Sequence, residues 1–185
     1  SAGEVEGRRQ AVDYLRFLRE RVPGFENAYL LEIAPQVGIR ETRRLVGEHV
    51  LSGDEVIGCA SFADSIGVNG WPLELHVAGD VEWRWPAVGS RGFNQLPLRM
   101  LLPADAGGVR TPRNVVVAGR CASMTHEGQS AARVSGGCFV MGQAAGTLAA
   151  LARRRSQSLR AVPVDVVQQA LAADGAYLGT ASPVG

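Results

Sequence analysis

The chain has 185 residues, 46% of them hydrophobic and 20% charged, which suits one well-buried core or two smaller lobes and excludes a disordered segment. A net charge of +1 provides no basic field, so neither nucleic acid nor an anionic membrane surface is expected as a partner. Cys59, Cys121 and Cys138 form no CxxC pair; they are expected to be buried free thiols, with no zinc or iron–sulfur site.

Residues 1–9 are small and polar with no secretory apolar region, which favours a soluble, cytoplasmic protein over a secreted one. Residues 8–22 place Ala11, Leu15, Leu18 and Val22 on one helical stripe, and Pro23-Gly24 ends that helix. Residues 45–51 suit a strand, and Ser52 followed by Glu55 has capping-box spacing for the helix after it.

From residue 72 to 103 the period changes to two. Leu73, Leu75 and Val77 alternate with Glu74 and His76; Val81, Trp83 and Trp85 alternate with Glu82 and Arg84. Leu96, Leu98 and Met100 alternate with Gln95, Pro97 and Arg99. Three or four antiparallel strands follow from this pattern. Residues 105–108 read as a turn or linker. Residues 115–118 are apolar throughout, as in a central strand covered on both sides.

Residues 134–152 carry no charge, but Ser135, Gln143 and Thr147 interrupt the run and most of it is Gly and Ala. We read it as a helix of a soluble core, not a membrane span. Its smooth face of Cys138, Gly142, Gly146 and Ala150 is expected to pack on the 115–118 strand, so Gly142→Leu should overpack that contact. Gly137→Asp is expected to spare the fold. Pro163 opens a last helix with Val164, Val167 and Leu171 on one stripe, closed by Asp174-Gly175.

The expected class is α/β in the α+β sense. Residues 1–104 form a β-rich lobe, a helix followed by mostly antiparallel strands, and residues 105–185 an α/β lobe. An apolar strand ending in Ala118-Gly119, a polar connection and a small-residue helix are how many nucleotide cofactors are gripped, with the helix amino end aimed at the ligand.

His76 and Arg99, on polar strand faces, suit a hydroxylated or carboxylated small molecule, although an exposed strand histidine and a salt bridge from Arg99 to Glu74 or Glu82 explain them equally well. His49 is expected to be structural or solvated. Arg40, Arg43 and Arg44 orient substrate or line a solvated edge. Arg133, a cation beside a helix start, implies an anionic neighbour. Neither GxSxG, HExxH nor a phosphate loop occurs, so a hydrolase triad, a zinc protease and a P-loop enzyme are poor fits.

Several stretches together resemble a large family of FAD-dependent oxidoreductases. They are Pro35-Gln36-Val37-Gly38-Ile39-Arg40-Glu41-Thr42-Arg43-Arg44, then Trp71-Pro72-Leu73-Glu74-Leu75-His76, then Leu96 through Pro103. The strongest are Val117-Ala118-Gly119-Arg120-Cys121 with Thr125-His126-Glu127, and Met141-Gly142-Gln143-Ala144-Ala145-Gly146-Thr147. The layout is similar to the carboxyl-terminal part of fumarate reductase and succinate dehydrogenase flavoproteins.

The resemblance implies FAD as cofactor, and a substrate-cap lobe plus the carboxyl-terminal part of an FAD/NAD(P)-binding Rossmann-like domain. Carried over, Ala118, Gly119 and Arg120 meet the ribityl or phosphate region, while His76, Arg99, His126 and Arg133 sit near the flavin ring or the substrate. Ser135, Gly136, Gly137 and Cys138 form a helix start against the flavin edge. The sequence departs from the reductase branch at Arg120, at Ser135-Gly136-Gly137 and at Leu98. A strand–GxGxxG–helix that would hold the pyrophosphate is absent from the 185 residues. The implied partner is therefore an amino-terminal FAD-binding half in the same or another chain. The implied activity is hydride transfer between a small polar substrate and flavin. The alternative is a non-catalytic binding or structural module that completes a partner flavoprotein.

Overall fold

The computed structural model describes residues 1–77, 79–105 and 111–179; of the turn expected at 105–108, only Asp105 falls among them. The chain divides into two compact units, Ser1–Arg40 and Glu41–Gly185.

In the first unit, helix α1 spans Ala2–Arg21 and starts six residues before the apolar stripe, because Ser1 caps it by accepting from the Glu4 amide. Val22 is extended and Gly24 takes φ +92°, which stops the helix where Pro23-Gly24 predicts. Ala11, Leu15, Leu18 and Val22 are half-buried. Glu6, Arg9, Asp13 and Arg16 form an exposed ion-pair ladder. The irregular segment that follows is tied back to α1 by the Val37 amide donating to Glu4 at 2.8 Å and Arg8 donating to the Pro35 carbonyl at 3.2 Å.

The second unit opens with backbone that joins two other segments. Leu45 and Leu51 donate to the carbonyls of Cys121 and Ser123, while Glu48 donates to Leu102. Donors divided between two partners cannot form one ladder. Residues 45–51 are therefore not the expected strand; they make isolated bridges, Gly47 to Pro103 and Leu51 to Met124. Helix α2, Gly53–Ile57, follows with the predicted capping box between Ser52 and Glu55.

Strand β1, Ser65–Asn69, pairs with β4, Asn94–Pro97; β2, Leu73–Val77, pairs with β3, Asp80–Arg84. Both pairs are antiparallel; β2–β3 is the hairpin that the period-two pattern predicts, whereas β1 lies ahead of that stretch, and the two pairs are separate two-stranded sheets. The alternation stops at Pro97, because residues Leu98–Leu101 form a 3-10 turn. Asp64 causes the turn: its carbonyl accepts from the Leu98 amide at 2.8 Å and its carboxylate from the Arg99 amide at 3.0 Å.

Residues 115–118 do not form the expected central strand either. Val115 is exposed and Val116 to Ala118 are half-buried, and the backbone tie seen is Val117 to the Leu101 carbonyl at 2.9 Å. Among the described residues no strand flanks this segment. A further 3-10 turn at Gly119–Cys121 leads into α3, His126–Ala132, and α4, Ser135–Arg155; α5, Val164–Ala173, closes the unit.

Helix α4 buries Gly137, Met141, Ala144, Leu148 and Ala152. Gly142, Gly146 and Ala150 are exposed, and a β-carbon on Gly142 or Gly146 would meet nothing within 4 Å, which overturns the expected packing face. The larger side chains Met141 and Leu148 bury more area than the smooth face would, so they turn inward. Gly137 is the tight position instead: a β-carbon there would lie 2.4 Å from the Ala132 carbonyl oxygen. The absence of that carbon permits the 92° bend between α3 and α4, so Gly137→Asp would not spare the fold.

Among the described residues no single helix is long and apolar enough to cross a membrane; α3 and α4 pass that test only jointly, across their bend. One core, including Leu51, Ile66, Leu96, Met100, Leu148 and Leu171, joins residues on both sides of position 104. None of the three cysteines is fully buried or in a disulfide: Cys59 and Cys138 are half-buried and Cys121 is exposed.

Gly128 and Gly142 should respond oppositely to alanine. A β-carbon at 128 would lie 2.1 Å from the Leu51 carbonyl oxygen, so Gly128→Ala should destabilise by on the order of 1–3 kcal/mol or more. Gly142→Ala, on an open helix face, should stabilise by about 1 kcal/mol. Thermal unfolding followed by circular dichroism compares them; equal effects would mean that α3 or α4 is wrongly placed.

Candidate functional site

Helix α3 carries two of the predicted residues, His126 at its first position and Arg133 at its carboxyl cap. Thr125 caps the helix by accepting from the Gly128 amide at 3.1 Å, and its own amide donates to the Leu51 carbonyl at 2.9 Å. This orients His126 so that its Nδ1 meets the Glu41 carboxylate at 2.8 Å. In the neutral imidazole, a carboxylate on Nδ1 keeps the proton there, so Nε2 is the nitrogen that carries the lone pair. Glu41 also pairs with Arg44, and its other oxygen lies 3.9 Å from the Arg133 guanidinium. Arg133 thus ends α3, where the helix dipole favours a cation, with the anionic neighbour that the sequence implied.

Strand β2 supplies the other half. The Glu74 carboxylate accepts from the Trp71 indole at 2.9 Å and lies 3.1 Å from His76 Nε2. The Glu74 carbonyl accepts from Arg133 at 3.5 Å, which joins both halves into one network. Two histidine–carboxylate pairs therefore flank a largely buried arginine, whose side chain is 10% exposed.

Both carboxyls are held below the ordinary range. For Glu41, burial opposes ionisation, but the hydrogen bonds and charges of His126 and Arg44 outweigh it. For Glu74 the Trp71 hydrogen bond is the main cause, joined by His76 and the Arg133 charge.

Beside this network, Val134, Gly136 and Gly137 at the start of α4 line an open cleft of about 370 Å³ with Val68, Asn69, Gly70 and Trp71. The amino end of α4 has no side-chain cap, and Gly136 has open space beside it. The first amides of a helix have no intrahelical acceptor, so this end of α4 brings potential donors and the positive end of the dipole to the cleft.

The turn containing Ala118, Gly119 and Arg120 packs against this end of α4. Gly119 takes φ +77°, and a β-carbon there would touch Cys138 Sγ at 3.9 Å. Cys138 donates to the Arg133 carbonyl at 3.3 Å; burial raises its thiol pKa against the opposing charge of Arg120, so it stays protonated. The predicted cofactor residues on the 118–120 turn and on 135–138 are therefore neighbours.

Arg99 grips Asp64 through Nε at 3.0 Å and Nη2 at 3.2 Å, not Glu74 or Glu82. His49 pairs with Glu55 and packs edge-on against Phe62, a structural role. Of the arginine cluster, Arg44 joins the site and Arg43 is exposed. Glu41 was given no role by the sequence, although a lone acid among Arg40, Arg43 and Arg44 is a signal for it. Trp71 was likewise missed, since a tryptophan ahead of a strand reads as packing. Among the described residues no group of His, Cys, Asp and Glu side chains could hold a metal.

A family model described as FAD dependent oxidoreductase matches residues 1–171. No curated protein and no solved structure matches the chain.

The lowered carboxyls fix a pH dependence. A depressed folded-state pKa stabilises above the unfolded value of about 4.3, and that stability is lost as pH falls through the folded value. Glu41→Gln should therefore be less stable than the native chain at neutral pH, with the gap closing as the pH drops below about 4. Urea unfolding at both pH values measures it; a gap independent of pH would show that the Glu41 charge contributes nothing.

Proposed function

The chain belongs to the FAD dependent oxidoreductase family, and from this we propose that it supplies the flavin-edge and substrate-facing part of such an enzyme. The observation that carries the reading is the uncapped amino end of α4 opening into a cleft beside the His126–Glu41, Arg133 and Glu74–His76 network.

The residues present fit a flavin ring. Its pyrimidine edge offers oxygen and nitrogen acceptors and gathers negative charge on reduction; unpaired amide donors at Ser135, Gly136 and Gly137 suit both. Arg120 and the bare backbone at Gly119 would meet the ribityl or phosphate portion, with Ala118 and Cys138 lining the turn. A bound flavin would supply hydride-transfer chemistry toward a substrate C–H or C=C bond.

The chain's own residues handle the proton and the alignment. His126, fixed by Glu41 through Nδ1, presents Nε2 as a proton acceptor, and His76, held by Glu74, is the second candidate. Arg133 anchors both pairs and adds positive charge beside the helix start. In this reading Arg99 clips residues 98–101 to Asp64, with half of its side chain still open to solvent for substrate.

In this reading segments on both sides of position 104, which share one core, together supply the substrate-facing and flavin-facing surfaces, in a layout like that of fumarate reductase and succinate dehydrogenase flavoproteins. An amino-terminal FAD-binding half, in the same or another chain, would hold the pyrophosphate.

This chain alone should bind FAD weakly. Each hydrogen bond to a charged phosphate contributes about 1.5–3 kcal/mol, and the pyrophosphate seat is missing from residues 1–185. Calorimetric titration of FAD into the chain is expected to give a dissociation constant above the micromolar range. A sub-micromolar value would remove the need for a second half, and an intact assembly that purified without flavin and gave no thermal shift with FAD would end the reading.

A further inference from the structure

All three tryptophans of the chain, Trp71, Trp83 and Trp85, lie together at the β2–β3 hairpin. Trp71 and Trp83 have ring centroids 6.0 Å apart at 64°, and Trp83 and Trp85 lie 6.1 Å apart and near-parallel at 22°. They are 41%, 44% and 64% exposed, which is unusual for the residue that gains most from burial.

The hairpin's two faces explain this. Leu73 and Leu75 are buried on the side that packs against α3, while Glu74 pairs across the strands with Trp83, and His76 with Val81, on the other side. That second face has exposed indoles and, between them, a carboxylate and an imidazole that already hydrogen-bond each other.

We infer that this face is a binding platform for a pyranose ring, and that it delivers a sugar-type substrate to the candidate site; the delivery, though not the binding, rests on the function proposed above. A pyranose has an apolar C–H face that stacks on indole and a rim of hydroxyls that donate to a carboxylate and exchange hydrogen bonds with an imidazole. The array matches both parts. Glu74 is held ionised, so it accepts from hydroxyls and repels a carboxylated ligand. The cations nearby are engaged, Arg84 with Glu82 and Arg133 with Glu41. A flat aromatic ligand would use the indoles but leave the Glu74–His76 pair without a role. Trp71 belongs to both places, since it closes the array and lines the cleft at α4. Of the hydroxylated and carboxylated molecules that the sequence allowed, the structure thus favours the hydroxylated ones.

The test needs no flavin. Because every tryptophan is in the array, tryptophan fluorescence of the 185-residue chain reports on this face and on the adjoining cleft that Trp71 lines, and the Trp83 and Trp85 variants assign the response to the face. Titration with methyl β-D-glucopyranoside and with cellobiose should give a saturable change for at least one of them, with little response to sorbitol or succinate. Trp83→Ala and Trp85→Ala, both at exposed positions, should keep the circular dichroism of the native chain and weaken binding about tenfold, the scale of losing one ring from a stacking platform. A response to sorbitol equal to that of the sugars would overturn the inference, as would no saturable change or unaltered affinity in both variants. So would self-association that Trp83→Ala abolishes while the sugars have no effect, since the face would then be a protein contact. Sugar binding without any flavin in the intact assembly would refute only the oxidoreductase reading, and flavin binding with inert sugars only this one.

Discussion

Between the Leu51 carbonyl and the third turn-forming residue of α3 there is no room for a β-carbon, and position 128 is a glycine. That close approach allows the Leu51 carbonyl to accept from Thr125 while its amide reaches Ser123, so the start of α3 is bonded directly to the segment that leads into α2. Gly137 performs the same service at the other end, where α4 turns away across the Ala132 carbonyl. A seven-residue helix cannot hold its own shape in water, and here two backbone contacts that only glycine permits hold it. His126 and Arg133 stand at the two ends of that helix, and their placement depends on both contacts.

The electrostatics of the site follow from this geometry. Glu41 and Glu74 each face an imidazole, and Arg133 lies between them with little access to water. An arginine so placed is costly unless paired, and pairing it through a carboxylate on one side and a carbonyl on the other fixes both histidine–carboxylate pairs relative to it. The positive end of α4 begins two residues further on, at the cleft lined by Val134, Gly136 and Gly137.

The sequence revealed elements whose signals are local. The Ser52–Glu55 capping box, the Pro23-Gly24 stop, the β2–β3 hairpin and the extent of the small-residue helix all depend on neighbours within a few positions. What escaped it depends on distant partners. Residues 98–101 alternate like a strand, yet Asp64, more than thirty residues earlier, takes their amides and turns them. Residues 115–118 have the composition of a buried strand, but no described strand lies beside them to pair with. The smooth face of α4 suggests its packing side, whereas the buried positions are those of Met141 and Leu148, whose side chains fill more of the core. At the site, His126 and Arg133 were legible because they frame a helix boundary. Glu41 was not, because its three partners include two that are far along the chain.

The central claim is that the turn at 118–120 and the start of α4 meet a flavin, and weak binding is no obstacle to testing it. Titrating FMN into the chain while following its backbone amide NMR spectrum locates the contact residue by residue. The account predicts that the largest shifts fall on Gly119, Arg120, Ser135, Gly136, Gly137 and Cys138, with smaller ones at His126 and Arg133. Shifts concentrated elsewhere, or none at saturating FMN, would contradict it.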